Sequence, residues 1–425
     1  RWPASMVRVR GLPRAIILPE HTRQAPEDAM EYTESALPEP TPEEQERARA
    51  VADRLRQRMA EAGGAIPFHE YMRIALYEPG LGYYVAGRER LGKGGDFTTA
   101  PELTPFFGYT VAGQVVDVLA RAGGGDVLEA GAGSGALAVE LLAELERLGN
   151  LPERYRILEV SPDLRQRQEK TIQRTLPHLL ERVEWLDDFP AEGWSGVLVA
   201  NELLDSLPVH RVRVTAEGLK ELYVAPAAAG DGFQWQEGPL SDPALGERLG
   251  DLEQLPEGME TEVSLEAPAW VAQAAERLER GGLLLIDYGH RAADLYAPIR
   301  AAGTLMCHFH HRAHDDPFWL PGVQDITAHV DFTAAAAAGR AAGLEVGGFT
   351  AQAQFLMNLG LAYRVESYLG GGVSDEEQLQ LATALKQLTL PQAMGESFKV
   401  LLLVRGVEGP FTGFREGDRA GTLEE

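Results

Sequence analysis

The stretch Val127-Leu128-Glu129-Ala130-Gly131-Ala132-Gly133-Ser134-Gly135-Ala136 decides the fold of this 425-residue chain. It reads as a short apolar strand, a glycine-rich turn and the opening of a helix that the pattern carries from Ala136 to Leu148. Glycine tolerates positive φ and close backbone approach, and a helix N-terminus presents free N–H groups, so such a turn suits a nucleotide cofactor. The next apolar strand, Tyr155-Arg156-Ile157-Leu158-Glu159, ends on a carboxylate able to accept both hydroxyls of a ribose, with Val160 beside it. Two cofactor classes fit the spacing: G-x-G-x-G, usual for S-adenosylmethionine, and G-x-G-x-x-A, allowed for dinucleotides. Glu129 weighs toward the first, because a carboxylate before the turn repels a pyrophosphate but not a methionine ammonium.

Downstream, strands and helices keep alternating, the pattern of a parallel α/β sheet covered on both faces. Candidate strands are Val183 to Leu186, Gly196 to Ala200, Leu283 to Asp287, Leu344 to Thr350 and Phe398 to Arg405, giving a seven-stranded, Rossmann-like sheet. Polar or acidic residues follow the first three, and ligands of open α/β sheets bind beyond the carboxyl ends of the strands. Asp187 is placed at the cofactor on this ground. Residues 1–40 read as a flexible tail: arginine-bearing at first, then acidic and proline-rich, with Met6 and Met30 as candidate starts. Residues 41–125 read as a helical N-terminal cap carrying a glycine-rich lid loop. Its first helix opens on the capping box Thr41-Pro42-Glu43-Glu44, buries Ala48, Val51, Leu55 and Met59, and stops at Gly63-Gly64. Residues 126–425 form the cofactor-binding domain, with insertions at about 208–268, patterned as β-hairpins, and about 290–331, rich in polar and aromatic side chains.

Composition narrows the function. A formal net charge of −25 argues against a nucleic-acid partner, which needs a basic surface, and favours a basic protein partner. The single cysteine, Cys307, excludes an intrachain disulfide and a thiolate zinc cluster. No apolar run is long enough to be an integral membrane segment.

Five motifs occur in the order found in the MidA family: Gly94-Gly95-Asp96-Phe97-Thr98-Thr99-Ala100-Pro101-Glu102, Glu129 to Gly135, Asn201-Glu202-Leu203-Leu204-Asp205-Ser206-Leu207-Pro208, Ile286-Asp287-Tyr288-Gly289-His290, and Gln324-Asp325-Ile326-Thr327-Ala328-His329-Val330-Asp331-Phe332. The chain resembles that family over about Ile66 to Val407. It departs at Ala100, where the family usually has serine, and at Ser206, where it usually has alanine. The resemblance implies a class I S-adenosylmethionine-dependent methyltransferase that dimethylates an arginine of a respiratory complex I-type NADH:quinone oxidoreductase subunit. It implies the cytoplasm in a bacterium or the mitochondrial matrix in a eukaryote. An arginine-bearing protein is then the expected partner, and a second copy of the chain a further candidate. A nicotinamide-dependent oxidoreductase and a non-catalytic assembly chaperone on the same fold are the alternatives.

Methyl transfer to a guanidinium needs carboxylates that orient the group by bidentate hydrogen bonds and take the released proton. Glu202 and Asp205, with Asn201, directly follow the fourth strand and are the expected catalytic residues; as an alternative they are acids favoured at a helix start. The cofactor is expected against Glu129, Gly131, Gly133, Gly135, Glu159, Val160, Asp187 and, on the lid loop, Asp96 and Thr98. Glu102, Asp287, Tyr288, His314 and Asp325 are expected to meet the substrate. His308, His310, His311 and His314 are dense enough to suggest metal ligation. No cysteine cluster or H-E-x-x-H helix accompanies them, so no metal is expected there.

Overall fold

Seven strands make the path of the central sheet in the computed structural model, which describes residues 37–85, 98–249 and 255–424. They are β1 (Asp126–Ala130), β2 (Tyr155–Leu158), β3 (Val183–Leu186), β4 (Trp194–Asn201), β5 (Leu278–His290), β6 (Glu345–Ala351) and β7 (Phe398–Arg405). Their spatial order is β6-β7-β5-β4-β1-β2-β3. The pairs β5·β4, β4·β1, β1·β2 and β2·β3 are parallel, whereas β7 runs antiparallel to both β5 and β6. The short strand Val330–Asp331 adds an eighth member at the end of β5, pairing with Gly289 and His290. Chain order reverses between β1 and β4, so the crevice beyond their carboxyl ends is the switch point where ligands bind in such sheets.

Burial on both faces explains the continuous apolar runs of the middle strands: Val197, Leu198 and Val199 of β4 and Leu283 to Ile286 of β5 are all out of water. Helices Phe106–Ala122 and Ala136–Arg147 cover one face; Glu266–Arg277 and Phe332–Ala341 cover the other. The helix Phe106–Ala122 falls within the range read as an N-terminal cap, yet its Val111, Val115 and Val118 pack with Val127 and Val197 of the sheet. The remainder of that range behaves differently. Helices Pro42–Glu61 and Phe68–Tyr77 share a separate core with Val224, Cys307 and Ile326 from the two insertions.

The first insertion is larger than a hairpin layer. Strands His210–Thr215, Gly218–Pro226, Phe233–Gly238 and Glu260–Val263 form a five-stranded antiparallel sheet completed by Ile66–Pro67 from the N-terminal region. The second folds as a three-stranded sheet, Met306–Phe309, Arg312–His314 and Asp325–Thr327. The capping signals hold. Thr41 Oγ1 accepts from Glu44 N at 3.3 Å while Glu44 Oε2 accepts from Thr41 N at 2.6 Å, and the helix ends before Gly63 and Gly64, both left-handed.

Candidate active site

A cavity of about 340 Å³ opens at the switch point, within the range of small-molecule sites. One wall is the glycine turn. Gly131 and Gly135 have φ of +69° and +84°; a Cβ on the first would meet Leu203 Cδ1 at 3.0 Å, and one on the second Gln168 Cα at 3.1 Å. Glycine at these two positions therefore answers both a backbone and a space requirement. Gln168, fully buried, donates to Gly133 O and to Glu159 Oε2, each at 3.1 Å, and accepts from Trp185 Nε1 at 3.0 Å. The glutamine thus locks the turn to the acid at the end of β2. Glu159 Oε1 also accepts the Ser161 N–H at 2.9 Å, and burial raises the carboxyl above its ordinary pKa. Nothing in the pattern of its helix singled out Gln168; only its burial among polar partners does.

The other residues expected at the cofactor divide. Glu129 and Val160 line the cavity, but Glu129 is also braced from behind by the Tyr155 hydroxyl at 2.5 Å, and burial pushes its carboxyl up to about 7. Asp187 lines the rim with its side chain 91% exposed and paired to Arg165 at 2.6 Å. Its neighbour Asp188, not foreseen, lines the same wall and accepts the Phe189 N–H at 2.7 Å. Thr99 rather than Thr98 reaches the lining, and Asp96 lies outside the described residues. Glu102 lines the cavity and accepts from the Ser134 hydroxyl.

The opposite wall follows β4. Asn201 and Glu202 line the cavity. Glu202 holds a left-handed backbone at φ +51°, uncommon for a residue with a Cβ and a mark of a conformation its surroundings enforce. Its N–H bonds Ile286 O at 2.9 Å; its Oε1 accepts from Ala100 N at 3.2 Å and from Asn201 Nδ2 at 3.0 Å. Burial, then the charge of Asp205, raises the Glu202 carboxyl to about 8.

Asp205, expected beside Glu202, is buried and absent from the lining; its carboxylate bonds the Tyr288 side chain and rises to about 6 through burial. The paired clamp thus becomes one carboxylate in the cavity with a second behind it. Asp287 also sits behind the wall. Its Oδ2 accepts the N–H groups of Leu203, Leu204 and Asp205 at 3.1, 2.8 and 3.3 Å, fastening the turn that presents Glu202. Neither Asp287 nor Tyr288 lines the cavity; Asp287 braces the turn from behind, and Tyr288 lies against Asp205.

Asp325 likewise stands back from the cavity, accepting from the Tyr84 hydroxyl at 2.7 Å. Tyr84 and Tyr77, stacked at 5.4 Å, do line it, and Tyr77 donates to Ser206 O at 3.1 Å. Trp270 and Gln273 add to the lining from helix Glu266–Arg277. Hydrophobic patterning assigned these tyrosines and Trp270 no role. His314 is placed elsewhere, on the three-stranded sheet against Trp319. His310 and His311 are the two turn residues between Phe309 and Arg312, with φ of +45° and +60°, as a two-residue hairpin requires. Among the described residues the run from His308 to His314 assembles no three-ligand group.

Residues 110–350 match the model of a family described as "Putative S-adenosyl-L-methionine-dependent methyltransferase". The chain belongs to this family. The expected resemblance holds, and with it S-adenosylmethionine as the cofactor and methyl transfer as the chemistry. A mitochondrial protein arginine methyltransferase NDUFAF7 homolog from Drosophila melanogaster is 30% identical over 396 residues, covering 84% of this chain and 85% of the relative. The Rattus norvegicus protein arginine methyltransferase NDUFAF7, also mitochondrial, is 30% identical over 374 residues, 80% of this chain and 81% of its own. A Burkholderia thailandensis structure bound to S-adenosyl-homocysteine superposes with a TM-score of 0.86 at 41% identity, covering 91% of this chain and all of its own. No helix among the described residues is long and apolar enough to cross a membrane.

The cavity suits this cofactor. Glu159, Asp188 and the glycine turn line it and are the residues that would hold the cofactor. The G-x-G-x-x-A reading, and with it the nicotinamide alternative, gives way to the family.

Proposed function

We propose that this methyltransferase acts on a protein arginine, in a subunit of a respiratory complex I-type NADH:quinone oxidoreductase. The observation that carries the reading is Glu202: a carboxylate fixed on the cavity wall, with Oε1 held by two of the chain's own donors and, among the described residues, no donor on Oε2. The names of the Drosophila and rat relatives support the same acceptor. The complex I subunit rests on the motif resemblance.

S-adenosylmethionine supplies an electrophilic methyl on a sulfonium. The chain's own part is to align, neutralise and exclude water. A guanidinium entering between Tyr77, Tyr84 and Glu202 favours the ionised carboxylate, since an opposite charge lowers a pKa that burial had raised. Glu202 then accepts an N–H of the guanidinium and orients the other nitrogen. Burial opposes that lowering, so Glu202 remains a better proton acceptor than an exposed glutamate and suits the proton released on methylation. Asn201 and Ala100 fix the carboxylate, and Asp287 fixes its backbone. A partner of opposite charge to this acidic chain, presenting an arginine, fits the same reading.

The test is methyl incorporation into matched peptides. An arginine peptide should be methylated and its lysine counterpart should not, because a compact ammonium cannot engage the carboxylate with the same fork. Equal use of lysine would end the arginine assignment. Mass spectrometry of total protein from a deletion strain against its parent would identify the substrate.

A further inference from the structure

Outside the methyl-transfer cavity, three side chains from three elements converge. His69 comes from helix Phe68–Tyr77, His210 opens strand His210–Thr215, and Glu221 lies on the paired strand Gly218–Pro226. One nitrogen or oxygen from each lies within 4.8 Å of the other two, and none of the three residues lines the cavity. His210 and Glu221 are 5% and 0% exposed. A carboxylate so far from water requires strong partners. Glu221 Oε1 is 2.8 Å from His210 Nδ1 and accepts from Ser241 Oγ at 3.0 Å, while Oε2 accepts the Ser241 N–H at 2.5 Å. The His69 ring lies over that of His210, centroids 4.0 Å apart and planes inclined by 30°, and its Nδ1 is buried with no hydrogen-bond partner among the described residues. Packing alone does not account for a buried imidazole nitrogen left without a partner among the described residues beside a His–Glu pair.

We propose that His69, His210 and Glu221 form a binding site for a divalent transition-metal ion, with zinc the best chemical match. Two imidazole nitrogens and one carboxylate oxygen are a zinc donor set, leaving a fourth position to water; calcium and magnesium favour all-oxygen shells. The ion would take the place of the proton shared by His210 and Glu221, so binding would release a proton. Ser241, on both carboxylate oxygens, is the outer support such a ligand needs. Arg73, the neighbouring cation on the same helix, is engaged by Glu266, and Asp242 adds a negative charge nearby. The ion would pin the helix bearing Tyr77 to the inserted sheet and so brace one edge of the cavity from a distance.

The test uses the full chain, stripped with a chelator and titrated with cobalt(II) and then zinc. Wild-type protein should show the visible absorption of a low-symmetry nitrogen and oxygen site, saturating near one equivalent and displaced by zinc. Saturating zinc should raise Tm by roughly 3–5 °C. His69→Ala should abolish the band while retaining normal circular dichroism and S-adenosylhomocysteine binding; Glu221→Gln should do the same if it folds. His308→Ala/His314→Ala should keep the band. Failure of the wild type to bind cobalt or zinc overturns the proposal, as does unaltered binding by folded His69→Ala or loss of binding in the His308/His314 variant.

Discussion

The two walls of the cavity are built in opposite ways. The β1 wall is local: a strand, three glycines and a helix start, all within ten consecutive residues, whose backbone makes the cofactor bed. The β4 wall is assembled from a distance. Glu202 takes its backbone partner from Ile286, its carboxylate partner from Ala100, and the anchor of its turn from Asp287. A local device tolerates change elsewhere and announces itself in sequence; an assembled one depends on every contributor. Cofactor affinity and turnover should therefore separate cleanly under mutation.

The largest expected effect falls on the assembled wall. Glu202→Gln keeps the shape but removes the charge needed when the guanidinium and its leaving proton are held. Turnover should fall a hundredfold or more, about 3 kcal/mol, with S-adenosylmethionine affinity unchanged. Near wild-type turnover would remove Glu202 from the chemistry and collapse the contrast.

On the local wall, Glu159→Ala should act on binding instead. It deletes a buried acceptor for the ribose and frees Gln168, weakening the cofactor by about 2–3 kcal/mol, roughly 30- to 150-fold in Kd by calorimetry. A matching loss of turnover at saturating cofactor would mean that the two walls are not independent.

Asp287→Asn sharpens the claim that the β4 wall is held from behind. An amide retains one acceptor but brings an NH2 donor into a site built from backbone N–H donors, at a cost of about 1–2 kcal/mol. Turnover should drop about tenfold with the acceptor KM little changed. A rise in KM alone would return Asp287 to the substrate-binding role first expected of it.

Legibility in sequence follows the same division. β3 and β7 were readable to the residue, and the capping box at Thr41 appears as written, because period, caps and turns are short-range signals. Glu159 and the glycines were legible for the same reason. Asp205, Asp287 and Asp325 were legible as important acids but not in role, since pointing into a cavity or behind it depends on partners 80 or more residues away, as for Asp287 with Leu203 at a separation of 84. Tyr77, Tyr84 and Gln168 carry no sequence signal at all: a tyrosine at a helix end looks the same whether it fills a core or frames a pocket. The density of the histidine run has a physical reason. His310 and His311 occupy a hairpin turn, and His310 Nε2 lies 3.0 Å from Glu44, so their density reflects a loop and a helix start.

The smallest expected effect tests the electrostatics of the β4 wall without any substrate. Glu202 is raised from 4.5 to about 8 in the folded chain. Between those values the unfolded chain has lost the proton and the folded chain keeps it, so the native state binds more protons and stability falls as pH rises. The favourable contribution is complete below about 4.5 and lost as pH climbs through about 8. Glu202→Gln carries no such term. Glu129 and Glu140, raised to about 7 and 9, decline in both proteins and cancel in the difference. Asp205 and Asp287 do not cancel fully, because both lose a repulsive neighbour and should ionise at lower pH in the variant, which adds to the same trend. Relative to wild type, Glu202→Gln should gain about 2–4 °C in Tm between pH 5 and pH 8.5. Parallel Tm curves across that window would mean that Glu202 is ionised in the resting protein, and that the wall is pre-charged for its substrate instead of being charged by it.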